Sequence, residues 1–237
     1  MLPKIMHPLF EIVIPSTKKK IKFRPMLVKE EKILLIAKEG DEDKDIFAAI
    51  KQVVNNCVET QNFDVDDLTL FDIEYIFLKI RSKSIDNIVE LAYKDNEDGE
   101  IYKFTINLEE IEVKFPENQQ LKLMINSDSG IMLKYPSATL LNDDTFFEET
   151  DVQNRLDYMI INCIATIFDS ETVYKASQYS IEELKTFINE LPIQTYNNIN
   201  DFLTSMPTIY HELNYTNKNG KEVKIVLNTL NDFFMFR

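Results

Sequence analysis

Between residues 87 and 135 the apolar side chains tend to recur at every second position, whereas on either side they recur at helical spacing. Neither period can serve the other element, because a strand turns alternate residues to opposite faces and a helix gathers every third or fourth residue. The chain is therefore expected to be α+β: a helical, bundle-like core with an N-terminal hairpin, an inserted antiparallel strand-rich block and a C-terminal hairpin. The corresponding regions are 1–84, 85–135 and 136–237. At 237 residues and 44% apolar content there is ample material for a core.

Local signals place the elements. Residues 9–14 and 20–24 read as strands joined by a turn at Pro15-Ser16-Thr17, with Lys18 to Lys20 solvated beside it. A helix follows over 28–38, with its apolar residues crowded from Ile33 to Ala37, which predicts burial on more than one side and a stop at Gly40. A second helix covers 43–57, with Ile46, Phe47, Ile50, Val53, Val54 and Cys57 on one stripe. Thr69 to Asp72 fits a capping box, with Ile73, Ile76, Phe77 and Ile80 following at helical spacing.

Strands are expected at 87–93, 101–107, 111–115, 121–126 and 131–135. Thr150 to Gln153 reads as a capping box for a helix running to about 168. Ser180 to Glu183 reads as another, for a helix ending before Pro192. A helix at 195–205 stops at Pro207, and strands at 209–216 and 221–227 turn at Asn219-Gly220.

The chemistry of familiar sites is missing from the sequence. Its four glycines, at 40, 99, 130 and 220, are too dispersed for a phosphate cradle. In the acidic loop 95–100, setting Gly99 at the sixth position of a calcium loop puts Lys94 at the first, where an acid is required. His7 and His211 lack neighbouring nitrogen or sulfur ligands, so no zinc site is expected. Cys57 and Cys163 lie in apolar helical contexts and read as buried thiols in a reducing compartment. No catalytic residue, metal or cofactor is assigned, and an enzyme is not expected.

The net charge of −14 disfavours nucleic acid and anionic membrane surfaces as partners. The N-terminus lacks the apolar core and cleavage site of a signal peptide, and no apolar run reaches the length of a membrane span.

The segment from Phe23-Arg24-Pro25 through Lys29-Glu30-Glu31-Lys32-Ile33-Leu34-Leu35-Ile36-Ala37 resembles the opening of the T4-like bacteriophage baseplate hub assembly proteins. The stretch from Leu70 to Ser84 resembles that family's second signature, and Leu230-Asn231-Asp232-Phe233-Phe234 is similar to its aromatic tail. The resemblance implies a phage morphogenesis factor that helps assemble the central baseplate hub by binding other hub proteins. It would work in the host cytoplasm during assembly, with the virion baseplate as the other location the resemblance implies. The alternatives are a permanent hub subunit and an unrecognised enzyme. Partner contacts are expected at Arg24, Lys29, Glu30, Glu31 and Arg81, and at Phe233, Phe234 and Phe236 of the tail.

Overall fold

A computed structural model of the chain describes residues 5–40, 43–117, 119–142 and 150–233. The chain forms two compact units, one of residues 1–114 with 208–237 and the other of residues 115–207. The architecture is α+β, as the two periods require.

In the first unit, β1 (Phe10–Val13) and β2 (Lys20–Phe23) form an antiparallel hairpin in the register Phe10 to Phe23. Helices α1 (Val28–Gly40), α2 (Asp43–Cys57) and α3 (Leu70–Ser82) follow. The centre of the unit is α3, of whose thirteen residues ten are buried. Its N-terminus carries the expected capping box: the Asp72 amide donates to Thr69 Oγ1, and the Thr69 amide donates to the Asp72 carboxylate. Asp72 also accepts the Ser16 amide at 2.9 Å, so one carboxylate anchors the hairpin turn and starts the helix.

Near the other end of α3, the buried Lys79 ammonium donates to the carbonyls of Glu109 and Ile111 at 2.6 and 2.7 Å. It thus satisfies a 3-10 turn that would otherwise bury bare acceptors. Burial pulls the Lys79 pKa down, against the pull of Glu112.

The strands expected between 85 and 135 divide among three sheets. β3 (Ile88–Lys94) pairs with β4 (Ile101–Asn107). β5 (Glu112–Lys114) pairs with the later strand β10 (Thr208–Thr216), which also pairs with β11 (Glu222–Leu227). β6 (Lys122–Met124) and β7 (Gly130–Leu133) belong to the second unit.

The tips of the β3–β4 and β10–β11 hairpins are clasped together. Tyr215 Oη donates to Asp95 at 2.9 Å, and the Lys218 amide donates to Asp98 at 2.9 Å. The rings of Tyr102 and Tyr215 lie 4.3 Å apart. Gly220 has φ +80°, the left-handed geometry expected of the Asn219-Gly220 turn.

Among its described residues the second unit packs three helices with an antiparallel sheet ordered β6, β7, β8 (Ile164–Phe168), β9 (Val173–Lys175). The helices are α4 (Val152–Cys163), α5 (Ile181–Asn189) and α6 (Ile193–Thr204). Its core joins Ile131, Ile160, Cys163, Ile164, Leu184 and Ile199. Gly130 is required where it stands, because a Cβ there would strike the Leu123 carbonyl and the Phe168 ring.

Two expectations are corrected here. Helix α4 ends at Cys163 rather than near 168: Ile164 turns extended, and Ile164 to Phe168 pairs with both neighbouring strands. An apolar run suits a buried strand as well as a helix, and pairing on both sides decides between them. The α4 cap is Asp151, which accepts the Asn154 amide at 2.9 Å, in place of a Thr150 box.

Candidate interaction surface

The junction between β2 and α1 is built around an ion pair that the sequence suggested would lie at the surface. Arg24 is 6% exposed and Glu30 is fully buried. The guanidinium donates to both Glu30 carboxylate oxygens, at 3.0 and 3.3 Å. It also donates to the carbonyl of Asn56 at the end of α2, at 2.8 Å, and to that of Pro25 at 2.9 Å. Glu30 accepts the Leu27 amide at 2.9 Å, which closes the first turn of α1. Two helices and a strand thus meet on one bidentate pair, and its donors also satisfy the C-terminal carbonyl of α2.

Burial opposes charge on both groups, but the pairing outweighs it. Burial alone would raise the Glu30 pKa; the hydrogen bonds from Arg24 and the Leu27 amide hold it below the usual carboxylate range. Arg24 is pushed up against its own desolvation by Glu30. Beside this pair, desolvation drives the Cys57 thiol up to about 11, and Cys163 in the other unit reaches about 12 for the same reason.

Arg24 and Glu30 are therefore architecture rather than surface. Lys29 and Glu31 are exposed next to them, and Lys29 lies 3.4 Å from Glu30. Arg81 is half-buried on α3; burial lowers its pKa, while Glu31 and Asp86 raise it. Phe233 is fully buried in a short terminal helix, α7 (Leu230–Phe233), so it packs in the protein's own core. Phe234 and Phe236 lie outside the described residues.

The surface at this junction includes Leu35 and Ile36, which the sequence reading had placed inside. Val28, Leu35 and Ile36 share one face of α1, at positions i, i+7 and i+8, and are 66, 56 and 70% exposed. Among the residues of α1, Glu30 is the buried one. The start of α1 borders a groove of about 540 Å³ whose other walls are Ile5, His7, Ser84 and Ile85. Ile5 and Ile85 are themselves largely exposed. The groove and the helix face share Val28 and so form one apolar surface edged by Lys29 and Glu31.

The Ser84 hydroxyl in the groove donates to the Ile80 carbonyl, and what the surface offers is apolar area with a charged edge. The family model describing the T4 bacteriophage base plate protein matches residues 7–235. The chain belongs to that family. No curated protein and no solved structure matches it. Family membership gives this base plate protein a role in the phage baseplate, among other baseplate proteins. Among its described residues no helix is long and apolar enough to cross a membrane, and no three His, Cys, Asp or Glu side chains cluster to hold a metal.

Proposed function

We propose that this baseplate protein assists assembly of the central hub by binding other hub proteins, acting in the host cytoplasm and by surface complementarity rather than catalysis. The observation that carries the reading is the exposed apolar face of α1 with its adjoining groove. An apolar surface of this kind is covered when a partner docks. The rigid pair of Arg24 and Glu30 beneath it holds α1 at a fixed angle to β2 and α2, so the surface is preformed. Both thiols are buried with raised pKa values, which speaks against a cysteine nucleophile. A second reading, a permanent hub subunit in the virion, is equally consistent with membership of the base plate protein family.

Two measurements test these readings. Ile36→Glu and Val28→Glu place charge on the exposed face without touching the core. Each is expected to weaken binding of the purified protein to its hub partner by about tenfold or more, with an unchanged melting temperature. Unaltered binding by both variants would remove α1 from the interface. Quantitative mass spectrometry of mature particles then separates the roles: stoichiometric copies establish a subunit, and absence establishes a transient factor.

A further inference from the structure

The second unit carries a cavity of its own, far in sequence from the α1 surface. It is a groove of about 480 Å³ between β8, β9 and α5, a size suited to a bound side chain or small ligand. Four aromatic rings line it, those of Phe168, Tyr174, Tyr179 and Phe187, together with Ile167 and Leu184. Tyr174 and Tyr179 meet edge to face with centroids 6.4 Å apart.

Two carboxylates, Asp169 and Glu183, also line the groove, and no Lys, Arg or His does so among the described residues. Both are held ionised by local hydrogen bonds. Asp169 is lowered by the Glu171 amide and by Tyr174, whose hydroxyl donates to it at 2.9 Å. Glu183 is lowered by the Ser180 amide and hydroxyl. These donors are amides and hydroxyls, so the negative charge stays uncompensated by any cation in the lining. On the ring beside them, Lys122 already places its ammonium 5.0 Å from the Phe168 centroid.

Aromatic faces and fixed carboxylates around an apolar floor attract one class of group, a cation on an apolar stem. We propose that this groove is a docking site for an arginine or lysine side chain flanked by apolar residues on a partner protein. The stem of the residue lies along Ile167, Leu184 and Phe187, and its charged end reaches Asp169 and Glu183 past the tyrosine rings. The assignment rests on charge and ring complementarity in the second unit and is independent of the hub reading, which concerns the α1 surface.

The test uses the full chain and two probes, acetyl-Gly-Leu-Arg-Leu-Gly-amide and its twin with citrulline in place of arginine. Citrulline has the same shape without the charge, so the pair isolates the cation from the apolar contacts. Binding is followed by shifts of backbone amide resonances. The arginine peptide is expected to shift residues around 167–187 and to bind about fivefold or more tighter than its twin. Glu183→Gln keeps the capping box, because Gln also accepts from Ser180, yet removes the charge. It is expected to bring the two peptides within about twofold of each other. Tyr179→Leu, at a 40% exposed ring, keeps apolar volume and loses the aromatic face, and is expected to weaken the arginine peptide selectively. Glu90→Gln, an exposed acid on β3, reports the loss due to net charge alone.

Equal affinity for the two peptides overturns the proposal. So does an equal loss from Glu90→Gln, or a shift pattern lying outside the groove. Self-association abolished by Tyr179→Leu would assign the groove to a second copy of the chain and overturn it likewise.

Discussion

Arg24 and Glu30 are six residues apart, and nothing in their spacing announces that they will be buried together. The third participant is the Asn56 carbonyl, brought to Arg24 by the end of α2. Sequence pattern sees charged residues near a helix start and places them outside, because burying either alone is prohibitive. Removing one partner leaves the other as an uncompensated buried charge. Arg24→Ala and Glu30→Gln are each expected to cost about 3–5 kcal/mol, read from denaturant unfolding, and Arg24→Lys to rescue little because it lacks the fork. An apolar double replacement is expected to be less damaging than either single change. Glu30 is depressed in the folded state, so its stabilisation is present above the carboxylate's unfolded pKa and is lost as pH falls through the folded value.

Glu74, on α3, has the opposite sign. Burial first, and then the nearby Asp232 carboxylate, which accepts the Thr229 amide at 2.8 Å, together raise it from 4.5 to about 7. The folded state therefore favours the protonated acid. Stability is highest below about pH 4.5 as far as this group is concerned, and declines as pH rises toward 7, by up to about 3 kcal/mol. Glu74→Gln is expected to raise the melting temperature at about pH 8 and leave it unchanged at about pH 4. A gain of equal size at both pH values would mean that packing, rather than ionisation, is responsible.

At the level of elements, legibility follows how local the determining interaction is. The capping boxes at Thr69 and Ser180 and the Asn219-Gly220 turn close within four residues, and each stands where the sequence put it. Strand β8 depends on pairing with β7 and β9, and β9 is three residues long, so neither left a periodic trace. Helix α1 was misjudged for a related reason. Its apolar residues surround the helix, and packing against α2 with the Arg24 pair helps to determine which side is covered.

The hairpin clasp was likewise invisible, because Asp95 and Tyr215 are 120 residues apart. Its consequence can be measured. Tyr215→Phe keeps the ring stack on Tyr102 and deletes the hydroxyl donated to Asp95. Amides at the tips of both hairpins are expected to exchange about tenfold faster or more, with α3 amides unaffected, since tips open locally while the core opens globally. Unchanged tip exchange would mean that the ring stack alone holds the clasp.

For the whole molecule, the decisive fact is that the second unit is one uninterrupted segment while the first is assembled from two. Residues 115–207 complete a four-stranded sheet and a core of their own, with β6 to β9 pairing among themselves. The first unit needs residues 208–237, because β10 supplies the pairing edge for β5 and Phe233 fills its core. Folding is therefore asymmetric. Residues 115–207 expressed alone are expected to unfold cooperatively, with dispersed amide resonances. Residues 1–114 alone are expected to lack that cooperativity, because β5 has lost its partner strand and α3 its cover. Calorimetry and amide spectra of the two fragments decide the matter, and a cooperative 1–114 fragment would show that the C-terminal hairpin is an accessory to that unit.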